Sequence, residues 1–227
     1  MTDKAQSLFD FGPTAAEYDR WYDTPAGRAH DRQQKTLVRE LLPPANTSDQ
    51  LLDVGCGTGH WSSFFASLGY AVVGVDISEQ MIEVAKASAS AQCLFGVADA
   101  CDLPFDAHSF EVVAAMATLE FVSDAPRVLA EMFRTVMSHG SVVVGTLNRL
   151  APVNRHCVAK GKEPYASARM FSLWELRELL APFGHVRARV TAEKAGSRGR
   201  RIWKAVTRRA SLRQEPAGAF LVAEVRL

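Results

Sequence analysis

The sequence lacks most of the features that assign a chain to a class at sight. Its 227 residues hold four cysteines, Cys56, Cys93, Cys101 and Cys157, with no C-x-x-C pair and no metal-ligand spacing. That excludes a disulfide scaffold and a thiolate metal site, so no metal is expected and a reducing compartment fits best. No segment approaches the ~18 uninterrupted apolar residues of a membrane span, and residues 1–6 carry no apolar signal core, so a cytoplasmic location is expected. An excess of one charge is missing as well: 26 basic residues face 25 acidic ones, a net of +1 that points to no partner class. With 48% hydrophobic residues the chain is too apolar for long disorder. A core at this length buries about 70% of the unfolded surface without staples, so one domain is expected.

What is present is an alternation of short apolar runs with amphipathic stretches between residues 50 and 148, the pattern of a mostly parallel sheet flanked by helices. The runs at 51–54, 71–77, 92–98, 110–116 and 141–147 are strand-length, and several are rich in Val or Ile. Between them, 60–68 places Trp61, Phe64, Phe65 and Leu68 at helical spacing. Ser78 before Glu79 caps a helix of Met81, Ile82 and Ala85, and Asp124 with Pro126 opens one of Val128, Leu129, Met132 and Val136. Upstream, 14–42 reads as two helices, the second capped by Thr24-Pro25. Downstream, a capped helix at 172–180 is followed by strands at 185–190 and 219–227 that pair antiparallel at the sheet edge. Charge balance fails in one place: 191–215 carries eight basic and two acidic residues, net +6, leaving −5 for the rest.

Chemistry concentrates in Leu51-Leu52-Asp53-Val54-Gly55-Cys56-Gly57-Thr58-Gly59, a strand entering a G-x-G-x-G loop with a helix directly behind it. Glycines there let the backbone turn sharply and approach a ligand. Asp76 closes the next strand, where a carboxylate accepts both ribose hydroxyls, so the expected ligand contains a nucleoside. A pyrophosphate fits poorly, because Asp53 sets a negative charge just before the loop and the third glycine falls one residue early. A cationic or zwitterionic ligand such as S-adenosylmethionine suits that acid better. Asp53 bonding to the loop's own amides is the structural alternative.

The residues resemble the class I S-adenosylmethionine-dependent methyltransferases, type 11, the group that includes quinone-biosynthesis methyltransferases. Leu52-Asp53-Val54-Gly55-Cys56-Gly57-Thr58-Gly59 is similar to the first family motif and Val75-Asp76-Ile77-Ser78-Glu79-Gln80-Met81 to the second. Asp99-Ala100-Cys101-Asp102-Leu103-Pro104-Phe105 is similar to the third, and Phe110-Glu111-Val112-Val113 with Leu119-Glu120-Phe121-Val122 follow in order. The likeness covers about residues 50 to 148. It implies a doubly wound, Rossmann-like α/β fold: a seven-stranded, mostly parallel sheet with an antiparallel last strand in a three-layer α/β/α sandwich, plus N-terminal helices. The implied organisation is a helical cap at 1–48, a cofactor-binding core at 49–148 and a substrate-side, sheet-completing region at 149–227.

The resemblance also implies roles. Gly55, Cys56 and Gly57 line the methionine portion of the cofactor, Asp76 holds the ribose, Ile77 and Met81 pack on the adenine, Asp99 accepts from the adenine amino group, and Ala100 contacts the ring. Met116, Ala117 and Leu119 lie near the sulfonium. The opening Tyr18-Asp19-Arg20-Trp21-Tyr22-Asp23-Thr24-Pro25-Ala26-Gly27-Arg28 is similar to that of a bacterial subset of the family. In relatives this segment closes over the cofactor, which brings Tyr18, Trp21 and Tyr22 toward a cation. Two departures stand out: Val136-Met137-Ser138-His139-Gly140-Ser141 replaces the usual turn before the fifth strand, and Glu120 stands where many relatives carry His.

Methyl transfer needs alignment and dryness more than a base. If the acceptor must lose a proton, Glu120 is the favoured base, ahead of His60, His156 and Tyr165. The absence of an Asn/Asp-Pro-Pro-aromatic motif and of a Pro-Cys nucleophile favours a small-molecule acceptor, an anionic one if Arg198 to Arg201 meet it. The basic 191–215 stretch leaves open an RNA-directed methyltransferase, and a non-catalytic partner-binding module of the same fold is the third reading.

Overall fold

Side chains along a strand alternate between its two faces, and here both sets are apolar, so the sheet is covered on both sides. The computed structural model describes residues 7–46, 49–192 and 215–227. Helix α1 (Ala15–Tyr18) sits between the 3-10 turns Gly12–Thr14 and Asp19–Trp21, and α2 (Pro25–Leu41) follows. Then come β1 (Gln50–Val54), α3 (His60–Ser67), β2 (Ala71–Asp76), α4 (Glu79–Ala87), β3 (Cys93–Val97), β4 (Phe110–Met116), a 3-10 turn Leu119–Phe121 and α5 (Ala125–Thr135). The chain ends through β5 (Val136–Leu147), α6 (Pro152–Ala159), α7 (Leu173–Leu180), β6 (Val186–Val190) and β7 (Phe220–Arg226).

The described strands form one seven-stranded sheet in the order β3-β2-β1-β4-β5-β7-β6. β1 to β5 run parallel, and β7 is antiparallel to both its neighbours, β5 and β6. The order reverses at β1, and the crevice beyond the carboxyl ends of β1 and β4 is where such sheets bind ligands.

Leu52, Val54, Val113, Ala115, Val142 and Val144 face one layer, packed by Val128, Leu129 and Met132 of α5 and Leu176 and Leu180 of α7. Leu51, Val112, Ala114 and Val143 face the other, packed by Val38 and Leu41 of α2 and Trp61, Phe64 and Phe65 of α3. The helix starts follow their caps. The Thr24 hydroxyl accepts from Gly27 N, that of Ser78 from Met81 N and the Asp124 carboxylate from Arg127 N. Ser172 and Glu175 form a reciprocal capping box.

Three details differ from the sequence reading. Only one long helix precedes the sheet, because 12–21 closes into single turns rather than a continuous helix. β5 starts at Val136, which pairs with Phe110 across a register shift, instead of at Ser141. α6 has no counterpart in the sequence reading, whereas the expected antiparallel pairing of the last two strands at the sheet edge is present, with β6 outermost. The basic segment occupies residues 193–214 almost entirely and lies outside the described residues.

The start of α2 is set by a close backbone approach. A Cβ on Gly27 would meet the Trp21 carbonyl oxygen at 1.9 Å and the Thr24 hydroxyl at 3.0 Å. Gly27→Ala is therefore expected to cost about 2 kcal/mol, as overpacking typically does, and to lower the thermal midpoint by several degrees. An unchanged midpoint would contradict this packing of the N-terminal turn on α2.

Candidate functional site

The loop after β1 departs from ordinary backbone at three glycines. Gly55, Gly57 and Gly59 have φ of 72°, 54° and 82°, values that side-chain-bearing residues rarely adopt. Gly55 also lacks room: a Cβ there would meet Thr118 Cγ2 at 2.3 Å. The loop is tied to the end of β2, since Gly55 N and Cys56 N both donate to the Val75 carbonyl, at 2.8 and 2.9 Å. Gly57 N donates to Asp76 Oδ2 at 2.9 Å, and Ser78 N donates to Asp76 Oδ1 at 2.9 Å. Asp76 thus spends one lone pair per oxygen on the fold and keeps acceptor capacity for a ligand. Burial raises its pKa above the ordinary value, opposed by those backbone donors.

Around this corner opens a cavity of about 600 Å³. Of the residues expected to hold the nucleoside ligand, Tyr18, Gly55, Cys56, Gly57, Asp76, Ile77, Met81, Asp99, Ala100, Met116 and Ala117 all line it. Asp99 holds the turn after β3 by accepting from Cys101 N at 2.8 Å. Ala117, at φ 55°, is locked by its N–H to the Gly145 carbonyl at 2.8 Å and leads the wall into Thr118. Cys56 is buried beside Asp53 and Asp76, and burial first, then those charges, drives its thiol pKa far upward. Its side chain is an apolar wall and not a nucleophile.

Three expected residues stay off the cavity surface. Leu119 is 1% exposed and packs in the core beneath α5. Asp53 is fully buried below the loop. Its Oδ2 accepts from Ser62 Oγ at 2.6 Å, while Oδ1 has no partner among the described residues. Burial pushes its pKa to about 7 despite the Ser62 bond, and Asp76 adds to the rise. Glu120 is likewise fully buried, with Oε1 accepting from Leu147 N at 3.0 Å and Oε2 from Thr146 Oγ1 at 2.9 Å. Its pKa is raised to about 7 by burial. The carboxylate expected to act as base is therefore a strut between the turn after β4 and the end of β5.

A chain of rings forms the opposite wall. Phe9 and Phe11 meet edge to face at 4.7 Å, Phe11 meets Phe121 at 5.0 Å and Tyr18 at 5.8 Å, and Tyr18 meets Tyr22 at 6.5 Å. Tyr22 then stacks on His60 with centroids 3.7 Å apart and planes within 6°. Asp19 accepts from Thr58 Oγ1 at 2.8 Å, so the N-terminal segment is fastened to the glycine loop. Trp21 lies outside this wall, 40% exposed. The Tyr18 and Tyr22 hydroxyls are both driven above their ordinary pKa, chiefly by burial. Of the other bases considered, His60 lines the cavity, while His156 on α6 and Tyr165 do not. The Asp19 to Thr58 bond and the surroundings of His60 went unforeseen. The one sequence signal was Asp31 and Lys35 spaced four apart on α2.

Comparison with known proteins agrees with this geometry. Residues 52–144 match a family model described as "Methyltransferase domain". An uncharacterized protein of Mycobacterium tuberculosis is 31% identical over 176 residues, 76% of this chain, and the chain spans 59% of that relative's length. The demethylmenaquinone methyltransferase of Staphylococcus saprophyticus is 30% identical over 163 residues, 68% of each chain. Among solved structures, a S-adenosylmethionine-dependent methyltransferase of Thermotoga maritima, described as a possible histamine N-methyltransferase, superposes with a TM-score of 0.72. It is 26% identical, over 95% of this chain and 97% of that one.

Asp53 makes the site's electrostatics measurable without a ligand. It binds its proton more tightly folded than unfolded, so its contribution is fully present below about pH 4 and is lost as pH rises toward its folded value of about 7. Asp53→Asn removes that loss. The variant is expected to gain about 2 kcal/mol on the wild type between pH 5 and pH 8 in urea unfolding, and a pH-independent difference would contradict the burial of this carboxylate.

Proposed function

The chain belongs to the class I S-adenosylmethionine-dependent methyltransferases of type 11, and from that membership we propose that it transfers a methyl group by in-line displacement to a small-molecule acceptor. The observation that carries the reading is the joint of the glycine loop with Asp76, a backbone cradle and a ribose-accepting carboxylate fastened to one another at the rim of one cavity. S-adenosylmethionine supplies a methyl carbon already activated by a sulfonium.

Three features of the site fit that cofactor. A Cβ built on Gly57 meets nothing within 4 Å, so the loop offers bare backbone to the space a ligand fills. Asp53 Oδ1, with no partner among the described residues, lies under the loop in a carboxyl group whose pKa burial raises to about 7; a cation above it favours the charged form, whereas a pyrophosphate opposes it. Ile77, 43% exposed, and Met81 give an apolar face beside Asp99 for a heteroaromatic ring.

In this reading Asp76 accepts from the ribose hydroxyls with the lone pairs left over from Gly57 N and Ser78 N. Asp99 and the Ala100 backbone hold the adenine. Gly55, Cys56 and Gly57 border the methionine portion, and Met116 and Ala117 the transfer position. Phe11, Tyr18, Tyr22 and Phe121 close the other side, excluding water and presenting ring faces to positive charge. The small-molecule acceptor is supported by the relatives' names, which cite a quinone precursor in one case and histamine in another.

Asp76→Ala removes the ribose acceptor and one partner of Gly57 N. Isothermal calorimetry with S-adenosylmethionine should show binding weakened by about ten- to a hundredfold, the span expected for losing charge-assisted hydrogen bonds. An unchanged dissociation constant would overturn the placement of the ribose.

A further inference from the structure

One polar cluster, which reaches the cavity wall through His60, takes no part in holding the cofactor in the reading above. His60, the first residue of α3, points one ring nitrogen at α2: Nε2 lies 2.7 Å from Asp31 Oδ1 and 3.0 Å from Lys35 Nζ. Lys35 Nζ in turn donates to Asp31 Oδ2 at 3.0 Å. Nε2 can give a hydrogen to the Asp31 carboxylate, which only accepts, or take one from the Lys35 ammonium, which only donates, so the two contacts call for opposite tautomers. The carboxylate is the nearer partner, and it also accepts from the ammonium, which favours the hydrogen on Nε2, given to Asp31, and a bare Nδ1. No described residue bonds Nδ1. The ring is held in place by Tyr22, stacked at 3.7 Å, so its orientation is fixed from two sides.

We propose that His60 is the group that takes the acceptor's proton during transfer, with Asp31 as the positioning residue behind it. The proposal rests on the methyltransferase reading and goes beyond it, since displacement at a sulfonium has no inherent need of a base. The proton on the acceptor atom moves to His60 Nδ1 while the acceptor's lone pair forms the bond to the methyl carbon. The carbon–sulfur bond breaks with its pair left on sulfur. The positive charge lost by the sulfonium reappears on the imidazolium, so charge balances and no other reactant is required. The groups facing the ring are Asp31 and Lys35 from α2, Asp19 from the turn before it, and Tyr22. Burial is the largest influence on the ring and lowers its pKa from 6.5. The Asp31 hydrogen bond opposes that, and the Lys35 charge reinforces it. His60 is thus neutral and able to accept a proton at neutral pH.

The rival account is that the cluster only ties α2 to α3, and two charge changes of opposite sign separate the accounts. Asp31→Asn lowers the His60 pKa and Lys35→Met raises it. Rates measured with methyl-labelled S-adenosylmethionine and a pool of small phenols and amines should fall on the acid side as His60 protonates. That acid limb should move to lower pH in Asp31→Asn and to higher pH in Lys35→Met. His60→Gln should lose at least a hundredfold in kcat while binding S-adenosylhomocysteine within threefold of wild type. Retained kcat in His60→Gln, or acid limbs that do not move, would overturn the proposal. Nitrogen-15 spectra of the wild-type protein without ligand test it even if the pool holds no acceptor. A hydrogen on Nε2 and a bare Nδ1 at pH 7.5 support it, and a hydrogen on Nδ1 refutes it. Failure of the wild type to bind S-adenosylhomocysteine would instead defeat the methyltransferase reading, leaving the tautomer as found.

Discussion

The grip of β2 on the loop after β1 is the constraint from which the rest of the site follows. Two backbone donors share the Val75 carbonyl and a third reaches the Asp76 carboxylate, so the end of one strand dictates the path of the next connection. That path demands positive φ at Gly55, Gly57 and Gly59. It brings the α3 N-terminus and His60 to the cavity rim and leaves Asp76 facing inward with acceptor capacity to spare. Thr118, filling the space a Cβ on Gly55 would need, carries the same constraint across to the end of β4.

The N-terminal segment completes a wall that the sheet cannot supply. A doubly wound sheet offers a crevice open on one side. Here the rings of Phe11, Tyr18 and Tyr22 cover that side, secured by Asp19 on Thr58 and Tyr22 on His60. Two buried carboxylates with raised pKa values flank the result and do different work. Glu120 has both oxygens bonded and serves as a strut, whereas one Asp53 oxygen has no partner among the described residues. A buried acid in the second state is destabilising when ionised unless a positive charge is nearby, which links the stability of the fold to the charge of the ligand.

Much of this was legible in the residues, for identifiable reasons. Seven strands and the caps at Thr24, Ser78, Asp124 and Ser172 follow from local rules of alternation and hydrogen-bond supply, which act within a few residues. Asp76 was legible because its spacing from the loop is imposed by the βαβ unit. Glu120 was misplaced because sequence position tells which turn a residue occupies but not which way its side chain faces. α6 went unforeseen because Ala151 offers no side-chain cap and its only start signal is Pro152. The cluster of Asp31, Lys35 and His60 joins residues 29 positions apart, so only the packing of α2 on the sheet brings it together.

The central claim is that this loop and acid select a nucleoside bearing a cation over one bearing a pyrophosphate. Calorimetric titration of the wild-type protein with S-adenosylmethionine and, separately, with a nicotinamide dinucleotide tests it most directly. The account predicts one-to-one binding of S-adenosylmethionine and no binding of the dinucleotide. Binding of the dinucleotide, or no heat from S-adenosylmethionine at millimolar concentration, would contradict it.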